Sequence, residues 1–217
     1  MSHDEVVAGI DVGGSRKGCH LVVLRGSTVL TTDRGSPEHV ARCAIESGAV
    51  LIGVDSPCAW GKEGFGRTAE RDLARERIFC FSTPSRTRAS TSKFYGWMLQ
   101  GECVYQSLIQ THPLLDNIGL KHKRACFETF PHAITCALLG TEVASAKQKR
   151  TQRREMLELA GIDTRELKSI DALDAALCAL TARYLKQNRV KAYGDAETGL
   201  IIVPTDNRME ISSARAR

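Results

Sequence analysis

Five acidic residues stand where chemistry could use them. The apolar run VVAGID ends on Asp11, LIGVD ends on Asp55, and RACFETF carries Glu128 near its end. A later segment, SIDALDAAL, adds Asp171 and Asp174 at i and i+3, a spacing that shares one helix face. If the three runs are neighbouring strands, their carboxylates gather at one sheet edge, where open α/β sheets bind ligands. Such a gathering is costly. Two carboxylates about 4 Å apart repel by about 4 kcal/mol at an effective dielectric near 20, and unpartnered ones take up protons. A hard divalent cation removes the conflict, and an all-oxygen donor set suits Mg²⁺ or Mn²⁺, as one ion or two. A pair of ions about 4 Å apart is a known arrangement for phosphodiester cleavage, one activating water and the other stabilising the leaving oxygen.

Each acid also has a plainer reading. Asp11 before Gly13 and Gly14, and Asp55 before Ser56-Pro57, suit turns. Asp171 can cap a helix start or favour its dipole. Glu128 is harder to explain that way, because an acid inside CFETF is expensive to bury unpaired. Asp174 lies deeper among alanines.

The elements that must position these acids can be read from periodicity and punctuation. Strands are predicted over 5–11, 19–26 and 27–33, with a tight turn near Arg25-Gly26, so the chain begins as an antiparallel meander. A helix follows over 36–48, with Ser36 as N-cap, Pro37 at its first position and Gly48 past its end. The apolar run 49–55 suits a strand covered on both faces. Residues 66–78 read as a charged helix, 83–93 as a basic Ser/Thr-rich loop, and about 95–111 as a helix. A strand over 124–130, helices from Pro131 to 140, over 147–161 and over 169–188, and a strand over 198–204 complete the order. Small residues Ala175 and Cys178 would let the long helix lie close to the sheet. The expectation is an α/β fold in a single domain: an antiparallel meander continued by parallel strands, flanked by helices. Its core runs over about 5–204, with a helical insertion at about 66–120 and a frayed tail over 205–217.

The fragments GIDVGGSRKG, IGVDSP, RTAERDLAR, ETFPHA, DALDAALCALTA and GLIIVP, in that order over about 6–204, are similar to a family of ribonuclease H-fold nucleases known as domain of unknown function 429. The resemblance implies a ribonuclease H-like mixed sheet and a metal-dependent nuclease. Asp11, Asp55, Glu128 and Asp174 would be its catalytic acids. Asp171 would stand beside Asp174 as a further metal ligand. GIDVGGS also resembles the first phosphate loop of actin-like ATPases, whose backbone N–H groups approach a nucleotide. That class normally has two such domains, and the chain holds no second Asp-x-Gly-Gly element. A non-catalytic nucleic-acid-binding scaffold is a third reading, in which the acids are structural.

Basic residues are candidates for a phosphate track. Arg67, Arg71 and Arg75 recur every fourth position, Arg86, Arg88 and Lys93 follow in the loop, and Lys147, Lys149, Arg150, Arg153 and Arg154 form the densest run. The competing reading is solvated helices laced by Glu70, Asp72 and Glu76. Tyr95 and Trp97 could stack on a base or pack in the core, and His132 could serve the site or its own helix. The net charge of +5 permits a polyanionic partner without requiring one. A nucleic acid is the expected partner, and a second copy is compatible because related folds often pair. No run approaches the roughly 18 apolar residues of a membrane span, and the start MSHDEVV lacks the regions of a signal peptide. The expected compartment is therefore the cytoplasm. Eight cysteines without a Cys-x-x-Cys pair read as small buried thiols.

Overall fold

The expected strands form where apolar residues alternate across a sheet covered on both sides. A computed structural model describes residues 5–62, 66–119 and 124–205; the expected frayed tail beyond 205 lies outside the described residues. β1 (Val6–Asp11), β2 (Cys19–Arg25) and β3 (Thr28–Gly35) make an antiparallel meander. β4 (Leu51–Asp55) and β5 (Ala125–Glu128) then add in parallel beside β1. β6 (Val190–Asp195) and β7 (Gly199–Pro204) form a closing hairpin, with β7 parallel to β5. The strand order is β3-β2-β1-β4-β5-β7-β6. Its first five positions, with only β2 reversed, give the mixed sheet that the sequence resemblance implies. β6 differs from expectation, since the sequence predicts no strand over 190–195. Its partly exposed, polar residues follow from its place at the sheet edge, where β7 alone pairs with it.

The helices are α1 (Pro37–Glu46), α2 (Thr68–Arg75), α3 (Arg86–Ser90), α4 (Gly96–Leu108), α5 (Pro131–Leu139), α6 (Lys149–Leu159) and α7 (Ile170–Lys186). Ser36 caps α1 by accepting the His39 N–H, as its sequence predicts. The stretch expected as a loop over 83–93 instead holds α3 and a single 3-10 turn over Lys93–Tyr95. Its serines act as caps: Ser85 accepts from Arg88 N and Ser92 from Phe94 N.

Alternation divides the core into two layers. Val7 of β1 and Leu51 of β4 face α5, α6 and α7, whereas Val6, Ala8, Ile10, Ile52 and Val54 face α1 and α4. α7 packs against β1, β2 and β4. The close approach depends on Gly9 and Gly53, which are register partners across β1 and β4. A Cβ on Gly9 would stand 2.0 Å from the Ala175 carbonyl oxygen, and one on Gly53 would stand 2.6 Å from that of Cys178. The helix backbone thus rests on the two glycines. Among the described residues, no helix is long and apolar enough to cross a membrane.

Candidate metal centre

Two residues beyond each glycine, on the same face of the sheet, stand Asp11 and Asp55. They are register partners, with His20 opposite Asp11 on β2. α7 lies over this row and lowers Asp174 onto it. One carboxylate oxygen from each of Asp11, Asp55 and Asp174 falls within 4.8 Å of the others. A second grouping, Asp11, His20 and Asp171, meets the same limit, so Asp11 belongs to both. Ser169 caps α7 by accepting the Ala172 N–H, which leaves the Asp171 side chain to turn toward the site.

Charge repulsion and burial act together here. Asp11 is pushed up to about 7 by burial, then by Asp174 and Asp171, with Lys17 and Arg153 opposing. Asp174 is also raised to about 7, chiefly by burial, against the pull of Arg153 and Lys149. Asp55 rises well above the usual carboxylate range through burial and through Asp11 and Asp174. Two cations temper the cluster. Arg153 of α6 pairs with Asp174, and Lys17 Nζ reaches Asp171 Oδ1 at 2.5 Å. Lys17 is placed by the Gly13-Gly14 turn, where the Gly14 carbonyl accepts from Lys17 N and Gly18 N.

Glu128 stands elsewhere than expected. Its register partner on β4 is Val54, not Asp55. Strand alternation therefore turns it to the opposite face from Asp11 and Asp55, and it is outside the three-carboxylate grouping. Its two oxygens instead accept from the Arg67 guanidinium at 2.6 and 2.5 Å, and Oε2 also accepts from Cys58 N at 2.8 Å. Arg67 in turn donates through Nε to Glu70, which also accepts from the Thr83 N–H and hydroxyl. The cost of burying Glu128 is met by an arginine rather than by a cation from solution.

The basic candidates divide accordingly. Arg67 is no surface phosphate ligand: its side chain is 1% exposed. It precedes α2 as the extended N-cap, so its fourfold spacing with Arg71 and Arg75 does not make one helical stripe. Arg71 is exposed and binds the Gly66 carbonyl and Thr68. Arg86, itself exposed, pairs with Glu102, and Arg88 is exposed two residues further on. Lys147 and Lys149 are exposed at the start of α6. In the rest of that run, Arg153 enters the site, and Arg150 and Arg154 bind the Lys168, Thr164 and Leu167 carbonyls. His132 contacts Cys136 one turn along its own helix.

The sequence singles out neither His20 nor Lys17, and it offers Arg153 only as part of a basic run, not as a partner of the carboxylates. The hairpin register signalled His20, since the residue opposite Asp11 follows from pairing the first two strands. Nothing local signalled Arg153, which arrives from a distant helix. The cysteines are all free; four are buried and four half-buried. One of these, Cys43, groups with Asp33 and His39 at the sheet edge, where both donate to the Asp33 carboxylate.

Comparison with solved structures finds a Thermus thermophilus RuvC structure, at 15% identity and a TM-score of 0.47, covering 84% of this chain and 96% of that one. Comparison with curated proteins finds no match. A family model described as protein of unknown function (DUF429) matches residues 9–198. That span holds both glycines under α7, all three clustered aspartates and the Arg67–Glu128 pair, and the chain belongs to this family.

Proposed function

We infer that the chain is a metal-dependent phosphodiesterase, a nuclease whose divalent ions are held by Asp11, Asp55 and Asp174. The observation that carries this reading is the convergence of three buried carboxylates, each with a raised proton affinity: burial acts on all three, and neighbouring aspartates add to it. An all-oxygen set of that kind fits Mg²⁺ or Mn²⁺. The adjoining set of Asp11, His20 and Asp171 mixes nitrogen with oxygen and suits Mn²⁺ better than Mg²⁺. Bound there, an ion supplies an activated water and charge stabilisation at the leaving oxygen.

The chain's own groups do the rest. The Lys17 side chain is 54% exposed while its ammonium pairs with Asp171, which puts a cation beside the acids for an incoming phosphate. Arg153 pairs with Asp174 and opposes the rise in proton affinity that burial imposes on it. Glu128 supports the site from behind by fixing Arg67 and the Cys58 backbone, directly after the β4 acid. Lys147, Lys149, Arg71, Arg86 and Arg88 are the residues available to hold the phosphate backbone of DNA or RNA.

The test is cleavage of a panel of labelled single strands, duplexes and branched substrates in Mg²⁺ and in Mn²⁺. Wild type cleaves in at least one metal, and Asp11→Asn and Asp174→Asn lose at least about a hundredfold in rate. Equal cleavage by wild type and Asp11→Asn, or none by wild type on any substrate, would overturn the assignment.

A further inference from the structure

A cleft opens on the other side of Asp55 from Asp11, and the chemistry assigned above makes no use of it. It is an open cleft, not an enclosed cavity: its space is about 400 Å³ only when the solvent at its mouth is counted. Its walls carry the aromatic rings of Phe81, Trp97 and Phe130. Ser56 and Thr129 also line it. Both are almost wholly buried, and neither hydroxyl has a partner. Buried hydroxyls without partners are uncommon enough to need a reason, and a ligand that supplies the missing bond is one.

The mouth is equally unusual. Phe81 is 64% exposed and Phe94 58%, and their rings meet edge to face at 5.4 Å. Phe94 in turn meets Tyr95 at 4.9 Å. Exposed contiguous aromatics mark a surface that binds something. Arg88 and Lys93, both exposed, follow in the same segment.

Charge selects the occupant. The cleft's ionisable lining is Asp55, Glu70 and Glu128 against the single guanidinium of Arg67, which those glutamates already engage. A phosphate or carboxylate entering here would meet a net negative floor. A neutral, flat heteroaromatic ring would meet aromatic walls and the unpartnered Thr129 hydroxyl, able to donate or accept, whereas the Ser56 hydroxyl sits against Gly101 of α4. We propose that this cleft receives one unstacked nucleobase of a single-stranded or locally unpaired nucleic acid, leaving its phosphates outside, next to Asp55. The inference rests on the nuclease reading and narrows its substrate to strands that can present a free base. Stacking on the aromatic walls supplies the affinity, and the Thr129 hydroxyl meets the ring's edge.

The test reads binding in EDTA, so that no cleavage is involved. Wild type is titrated with oligodeoxyadenylate carrying one fluorescent adenine analogue, and with the same strand in a duplex. The single strand binds at least about tenfold tighter than the duplex, and the analogue's emission changes on stacking. Phe81→Ala and Trp97→Ala each weaken single-strand binding about tenfold, the scale of one lost base–aromatic stack. Thr129→Val, which keeps the shape and removes the unpartnered hydroxyl, weakens it about threefold at an unchanged melting temperature. Duplex binding equal to single-strand binding, or wild-type affinity in both Phe81→Ala and Thr129→Val, overturns the proposal. Absence of cleavage by wild type would overturn the nuclease assignment and leave these binding results intact. Unchanged binding in the variants overturns the cleft alone.

Discussion

At the scale of the residue, the cluster's behaviour follows from three carboxylates sharing one buried corner. Asp11 and Asp174 have native affinities for protons near pH 7, far above the unfolded value near 4. A carboxyl raised in the native state contributes stability when protonated. That contribution is full below the unfolded value and is lost as pH rises through about 7. Without metal, therefore, the melting temperature should fall between pH 5 and pH 8. Mn²⁺ should restore it at pH 8 by binding the native state alone. Asp11→Asn should flatten the fall and abolish the Mn²⁺ rise. Melting curves across pH, with and without metal, check this; a wild-type curve that rises from pH 5 to 8 without metal would contradict it. Arg67 poses the opposite case, a buried cation that two carboxylates depend on. Replacing it with Met strands Glu128 and Glu70 without their partner, and should cost about 3–5 kcal/mol in denaturant unfolding. Arg75→Ala, at an exposed pair with Asp72, should cost less than about 1 kcal/mol.

At the scale of the element, the site is made by the fit of α7 to β1 and β4. Gly9 and Gly53 let the helix backbone touch the sheet, and that contact sets the height at which Asp174 meets Asp11 and Asp55. Gly9→Ala drives a methyl into the Ala175 carbonyl, so the helix must lift. The expected cost is at least about 1–3 kcal/mol, with Mn²⁺ affinity falling further than stability does. Calorimetric Mn²⁺ binding on protein that still melts cooperatively checks this, and wild-type affinity would refute it. Much of this was legible in the chain. Strand ends flagged Asp11 and Asp55, and small residues flagged the close helix. Register was not legible. A shift of one residue reverses a strand's faces, and the short run CFETF contains nothing that says whether position 128 pairs with Val54 or Asp55. The partner of Glu128 was hidden for a related reason. Arg67 looked like one member of a surface stripe because a fourfold spacing is indifferent to whether its first residue is inside the helix or caps it. β6 was missed because an edge strand keeps polar residues that resemble a loop.

At the scale of the whole molecule, charge is separated. The chain carries a net +5, yet two of its concave features, the metal corner and the cleft beside it, are lined by acids. Attraction for a polyanion must then come from cations on the surface around them. At the start of α6, Lys147 and Lys149 are exposed, and Lys149 is close enough to lower the proton affinity of Asp174. Beyond the cleft, Arg88 and Lys93 are exposed in the segment that carries Phe94. A strand that reached both groups would gain from each of them. Two separable salt effects follow. Monovalent salt should weaken single-strand binding by releasing counterions, with a slope of about 0.7 per phosphate contact on logarithmic axes. Lys147→Ala with Lys149→Ala should reduce that slope by about 1.4, and Arg88→Ala by about 0.7. Arg75→Ala should leave it unchanged, because Asp72 already neutralises that side chain. Titrations of a labelled single strand over a range of KCl concentrations in EDTA measure each slope directly. A slope unaltered by all three basic substitutions would mean that the surface cations are solvated ornaments of their helices, and that any nucleic acid reaches Asp11, Asp55 and Asp174 by another face.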